Sequence, residues 1–256
     1  MQKEQSKQNK MAWEYRAYEH WVTNYGTPEK MGKHIRDNTD RWLNYYKKDL
    51  GNVSGKKIAN LLGSGGIRAV ALAVLGADVT IVDISEENAR YARELSKEAN
   101  VNINYIVSDL FDIPIKEMKS QFDIVFMEFG ILHYFSDLEK LGQIIVALLK
   151  ENGKLILRDF HPFSKIVQVN EKEGTLILKE GYFNETLHFN PVAYEGFFPE
   201  EEQKTLPKTY LRKWTFSDII TSFAQQGFII KKMYEEPDKG NQFIPANYMI
   251  VAIKSN

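Results

Sequence analysis

Residues 57–85 constrain this chain most: Lys-Ile-Ala-Asn-Leu-Leu-Gly-Ser-Gly-Gly-Ile-Arg, an Ala/Leu-rich segment, then Asp-Val-Thr-Ile-Val-Asp-Ile-Ser. Residues 58–62 are a short apolar run of the kind found in a strand buried on both faces. Gly63, Gly65 and Gly66 give a turn where backbone can pass close to a ligand. Residues 69–75 form a small-residue helix that Gly76 ends. Residues 78–84 are a second apolar strand, with Asp83 at its carboxyl end. The whole is one βαβ half of a nucleotide-binding fold, its acid about 20 residues past the first turn glycine, as a ribose-binding carboxylate requires.

Two cofactor classes use that layout. A dinucleotide site has G-x-G-x-x-G, with a helix N-terminus on the pyrophosphate. Here the turn reads Gly63-Ser64-Gly65-Gly66-Ile67-Arg68, so the third glycine is missing. The segment resembles the first motif of the class I S-adenosylmethionine (SAM) methyltransferases, acid-apolar-Gly-x-Gly-x-Gly. Aligned on the last glycine, Asn60 stands where the acid is common, and Leu62 and Ser64 stand where glycines are common. Gly66 matches a motif glycine, while Gly63 and Gly65 fall at variable positions. The turn alone leaves an NAD(P) site, or a tight turn with no ligand, as alternatives.

The remaining elements follow in order. Residues 1–10 are polar and read as unordered at the start. Residues 12–25 have apolar residues at helical spacing, broken by Gly26-Thr27-Pro28, and a second helical stretch runs to about Gly51. These two helices cap the sheet, and Tyr15 and Arg16 are candidates for a lid over cofactor or substrate. Ser85 caps a helix to about Ala99, with Glu86 and Glu87 suited to its dipole. Residues 103–107 are a third strand, followed by Asp109 and Leu110. Phe122–Glu128 is a fourth. Residues 137–150 are a helix closed by Asn152-Gly153, and 154–159 a fifth strand. Thr175, with the residues up to 179, is strand-like within an aromatic-rich insertion, 163–213, whose fold the sequence does not define. Then come a helix over 215–226, a strand over 228–234, a loop over 237–245 and a last strand over 247–254.

The resemblance to class I methyltransferases covers about 55–160 and 215–254, and rests on the register of these elements. "Phe-Asp-apolar-apolar" at Phe122, the segment from Phe129 to Phe135, and "Leu-Leu-Lys-x-x-Gly-Lys-Leu-Ile-Leu" ending at Leu157 all match its pattern. It implies an α/β, doubly wound, mostly parallel seven-stranded sheet, order 3-2-1-4-5-7-6, the last strand antiparallel. With the two N-terminal helical stretches read above, the chain is expected to divide into an N-terminal helical lid (1–50) and a SAM-binding α/β domain (51–256) carrying the insertion. The resemblance places the ligand in the second. It implies a cofactor site of Gly63, Ser64, Gly65, Gly66, Asp83, Ile84, Asp109, Leu110, Glu128, Phe129 and Gly130, with Asp83 on the ribose and Asp109 on the adenine amino group. Tyr134 is a further substrate-side candidate, and His133 and His161 are the candidate bases; no metal site is expected.

Composition bounds the rest. A chain of 256 residues with net charge −1 and no cysteine has no nucleic-acid footprint, disulfide framework or thiolate nucleophile. No run of about 18 apolar residues suggests a membrane span, and a cytoplasmic protein is expected. There is no Asn/Asp-Pro-Pro-Tyr/Phe after the fourth strand, where base-methylating relatives carry it. The expected reaction is therefore in-line methyl transfer from SAM to a small molecule. An NAD(P) oxidoreductase and a SAM-fold protein without turnover stay open, and oligomeric state is not indicated.

Overall fold

The computed structural model describes residues 2–170, 173–238 and 241–255. Helices α1 (Gln2–Glu14), α2 (Ala17–Tyr25), α3 (Pro28–Asp37), α4 (Thr39–Leu43) and α5 (Lys47–Leu50) precede β1 (Lys57–Leu61). Then come α6 (Ile67–Val74), β2 (Asp78–Asp83), α7 (Glu86–Glu98), β3 (Asn104–Val107), α8 (Ile115–Met118), β4 (Phe122–Glu128), α9 (Leu138–Leu148) and β5 (Leu149–Phe160). Two small antiparallel hairpins follow: β6 (Val167–Asn170) with β7 (Thr175–Leu178), and β8 (Leu187–Pro191) with β9 (Lys208–Arg212), the second pair separated by α10 (Glu200–Gln203). The chain closes with α11 (Phe216–Gln225), β10 (Phe228–Asp238) and β11 (Asn241–Lys254).

The central sheet has seven strands, order β10-β11-β5-β4-β1-β2-β3. Strands β3 to β5 are parallel along it, while β11 runs antiparallel between β5 and β10. This is the order expected from the sequence. Alternation along β1 explains the two faces: Ile58 enters one core with Ile81, Phe126 and α3, α6 and α7, while Ala59 and Leu61 enter another with Val125, Leu155 and α9 and α11. Both faces are covered, so the strands read as apolar runs.

Several boundaries differ from the sequence reading. Met1 lies outside the described residues, but Gln2–Glu14 is helix, not an unordered start. Its buried residues are Gln5, Ser6, Asn9 and Ala12, so amides rather than an apolar stripe mark its inner face. The helical stretch after Pro28 is three helices, broken at Asn38 and at Asn44–Tyr46. Strand β5 starts at Leu149, inside the expected helix, because a register shift against β4 between Phe122 and Ile124 accommodates residues 150–153. Lys239 and Gly240 of the expected loop lie outside the described residues, and the rest of it pairs as strand, out to Asp238 opposite Asn241. Glu171 and Lys172 of the insertion also lie outside.

Candidate active site

The carboxyl ends of β1, β2, β3, β4 and β5 open into one cavity of about 670 Å³. That is the crevice where open α/β sheets bind ligands, and its size suits a small-molecule site. Every residue of the expected cofactor set lines it: Gly63, Ser64, Gly65, Gly66, Asp83, Ile84, Asp109, Leu110, Glu128, Phe129 and Gly130.

The turn after β1 explains its unusual glycines. Leu62 and Ser64, where the motif has glycine, hold φ of 51° and 49°. The left-handed geometry is kept without glycine, at a cost of order 1–3 kcal/mol per residue that the surrounding structure must hold in place. Gly63 and Gly65 serve close approach instead. A Cβ on Gly65 would sit 2.8 Å from the Trp21 ring, and one on Gly63 would sit 2.6 Å from Asn60 Oδ1. Trp21 is fixed over the turn by its indole N–H, which donates to Asn88 Oδ1 at 2.8 Å. Ser64 Oγ is buried with no partner among the described residues.

Asp83 is buried and accepts from Ser64 N (3.0 Å), Ser85 N (3.0 Å) and Asn88 Nδ2 (3.2 Å). Burial pushes its carboxyl pKa up, and these donors oppose the rise. A carboxylate has about four acceptor sites, so capacity for a ligand hydroxyl remains. Asp109 caps a short 3-10 turn through Phe111 N at 2.9 Å. Glu128 is engaged by the protein: Arg68 Nε lies 3.1 Å from its Oε1, and the Tyr46 hydroxyl donates to Oε2.

A residue the sequence reading passed over shapes the far wall. Asp159 is buried, and its carboxylate accepts from Gly130 N (2.7 Å), Ile131 N (3.1 Å), Leu132 N (2.9 Å) and its neighbour Phe160 N (2.7 Å). It thereby fixes the loop after β4, which presents Phe129, Gly130, His133 and Tyr134 to the cavity. An acid within an apolar strand was the available signal.

His133 and Tyr134 line the cavity, but His161 does not. His161 Nδ1 accepts from Phe163 N at 3.1 Å, its Nε2 lies 3.0 Å from Glu235 Oε1, and its ring stacks on Phe216. Both nitrogens are used in holding the turn after β5, so His161 is a positioning residue here. Tyr15 and Arg16 also lie away from the cavity. They bind Glu202, Tyr15 through its hydroxyl at 2.9 Å and Arg16 through Nη1 at 3.1 Å. The cover is built instead by Gln2, Ser6, Asn9 and Trp13 of α1 and His20, Trp21 and Tyr25 of α2. Amides hold α1 down: Asn9 Oδ1 accepts from Tyr210 N at 2.7 Å and Gln2 Oε1 from Ser136 N at 2.7 Å. Glu14 accepts from Glu86 N (2.9 Å) and Glu87 N (3.2 Å), a carboxylate on the α7 N-terminus.

Desolvation by the cavity walls lowers the His133 pKa from 6.5 to about 4, against the attraction of Asp159. Its imidazole is neutral at pH 7. The unfolded chain takes up this proton below about pH 6.5 and the folded chain only near pH 4, so stability falls as pH drops through that window. Burial shifts His20 and His161 the same way. Urea denaturation should show a loss of about 2 kcal/mol between pH 7 and pH 5 from His133, and His133→Asn should remove that share while the shares of His20 and His161 remain. A titration midpoint of 6–7 for His133 by NMR contradicts this.

This mostly parallel seven-stranded sheet with an antiparallel strand beside β5, and its cavity at the strand ends, defines the class I methyltransferase fold. Comparison with known proteins agrees: residues 61–157 match the family described as "Methyltransferase domain". Among solved structures, an S-adenosylmethionine-dependent methyltransferase from Mesorhizobium loti aligns at TM-score 0.64 and 17% identity, over 85% of this chain and 99% of that one. Magnesium protoporphyrin IX methyltransferase from Synechocystis, solved with bound S-adenosylhomocysteine (SAH), aligns at TM-score 0.62 and 17% identity, over 98% of this chain and 100% of that one. By sequence, ubiquinone biosynthesis O-methyltransferase of Bordetella pertussis is 28% identical over 131 residues, 49% of this chain and 52% of that protein. The Xanthomonas euvesicatoria protein of the same name is 30% identical over 105 residues, 41% and 43%. The chain thus spans about half the length of these relatives or less. Among the described residues, no helix is long and apolar enough to cross a membrane.

Proposed function

We propose that this protein transfers a methyl group from SAM to a small-molecule acceptor. One observation carries the reading: Asp83, Asp109 and the orphaned Ser64 hydroxyl, from three separate segments, converge on one cavity under a helical cover. Asp83 would hold the ribose hydroxyls, Asp109 the adenine amino group, and Ser64 Oγ a polar atom of the same ligand. Phe129 and Gly130 would border its methionine end. When bound, SAM supplies a methyl group made electrophilic by its sulfonium. The chain's own part is to align the acceptor, which can lower a barrier by several kcal/mol, and to keep water out with the α1 and α2 side chains. His133, neutral at pH 7, can accept a hydrogen bond from an acceptor hydroxyl. With so low a pKa it orients that group more than it removes the proton. The O-methyltransferase relatives favour oxygen as the accepting atom.

Thermal unfolding with candidate cofactors tests the reading. SAH at about a hundred times its Kd should stabilise by about 2.7 kcal/mol, a rise of about 5–10 °C for a chain of this size, and NAD(P) should give none. A shift with NAD(P) and none with SAM or SAH overturns it. Transfer of label from methyl-labelled SAM to a metabolite extract then separates turnover from binding alone.

A further inference from the structure

We propose that Lys165 is the acceptor-recognition residue of this cavity, and that the acceptor is a small, largely apolar molecule bearing a carboxylate. The term "acceptor" rests on the methyltransferase reading; the carboxylate site does not. Lys165 ends the 3-10 turn Pro162–Lys165, which follows β5. His161 builds that turn, accepting from Phe163 N at 3.1 Å, while its carbonyl accepts from Ser164 Oγ at 2.7 Å. The Lys165 ammonium is thereby set over the Phe160 ring, 3.6 Å from its centre, and lines the cavity with Phe160, Phe129 and His133.

The charges around the cavity single this group out. Arg68, the arginine of the lining, is paired with Glu128. Asp159 lies near Lys165, but its carboxylate is filled by backbone N–H donors at 2.7–3.1 Å. Lys213 approaches from outside, donating to the Lys165 carbonyl at 3.4 Å, and its own charge is met by Glu180. Lys165 therefore has no carboxylate within ion-pair distance among the described residues. A ring face offers an ammonium attraction but satisfies none of its three N–H donors. Lys165 is exposed on one side, and desolvation by the groups on the other outweighs the pull of Asp159 and lowers its pKa. An anion arriving from the cavity relieves that penalty.

Position separates this group from the nucleoside end. Strands β5 and β3 lie four strand spacings apart in the sheet, about 19 Å. Lys165 follows the first and Asp109 the second. The wall at Lys165 is the Phe160 ring with Phe129 packed against it, which suits an apolar body. A single lysine acts as a point charge, whereas phosphate sites gather several donors or a bidentate arginine. A carboxylate is the anion that fits.

Titration calorimetry on the full chain, with and without SAH, tests this with benzoate, phenylacetate and hexanoate, the amide of each, and phenyl phosphate. The acids should bind at least tenfold tighter than their amides. Lys165→Met should erase that difference and Lys165→Arg should retain most of it. SAH affinity should stay within threefold in both variants. No binding of the acids, equal binding of acids and amides, a preference surviving in Lys165→Met, or tighter binding of phenyl phosphate than of benzoate overturns the assignment. Failure of wild-type protein to bind SAH counts against the methyltransferase reading, while the measurements without SAH still decide the carboxylate site.

Discussion

Asp83→Ala should weaken SAH binding at least a hundredfold. The side chain stands at the end of β2, buried, and lines the cavity beside Ser64 and Ile84. Two hydroxyls donating to a charged acceptor contribute about 1.5–3 kcal/mol each, and every 1.4 kcal/mol is tenfold in Kd. The substitution also releases Ser64 N, Ser85 N and Asn88, which the carboxylate now holds. Since Ser64 sits at positive φ, part of the loss comes from a turn no longer held in its strained shape. Calorimetry well below the unfolding midpoint keeps binding apart from stability. Because burial raises the Asp83 pKa, wild-type affinity should also begin to fall, as pH is lowered, sooner than an ordinary carboxylate would dictate. An affinity within threefold of wild type in Asp83→Ala removes Asp83 from the ligand site.

How much of this could be read beforehand depends on what kind of contact holds each part. The strands were legible because burial on both faces leaves continuous apolar runs, and Asp83 because a carboxylate ending such a run after a glycine turn is a local pattern. Leu62 and Ser64 looked like departures from the motif, yet they adopt the backbone that glycine usually supplies. The motif encodes a conformation, and the surrounding packing can impose it on other residues. Helix α1 was illegible for the opposite reason. Gln2, Asn9 and Glu14 face inward through hydrogen bonds to backbone groups of distant segments, and amides in a Lys/Gln-rich run carry no hydrophobic period. His161 was misplaced by one short turn. The chain after β5 coils at Pro162–Lys165, so His161 is consumed as the cap of that turn and Lys165 reaches the cavity instead.

Asp159→Ala should cost about 4 kcal/mol of stability, and Asp159→Asn nearly as much. The carboxylate is buried and meets no cation at ion-pair distance among the described residues; four backbone N–H groups compensate it. Each donor left unpaired costs about 1–3 kcal/mol, and water entering the gap recovers part of that. For a chain of this length the expected fall in Tm is about 8–16 °C. Asparagine is not a mild replacement, because both oxygens are in use. Oδ1 serves Gly130 N and Phe160 N, and Oδ2 serves Ile131 N and Leu132 N. Either amide orientation turns an NH₂ group toward two N–H donors, and glutamate is too long for the same space. Asp159 does not line the cavity, but the loop it fixes carries Phe129, Gly130, His133 and Tyr134, which do. SAH affinity should therefore drop in Asp159→Asn even at temperatures where the protein is folded. A side chain that touched the ligand alone would leave Tm of the free protein unchanged, and a purely structural contact remote from the site would leave affinity unchanged. Asp159→Asn should move both, and a variant that melts with wild type shows that the loop after β4 is held by something other than this carboxylate.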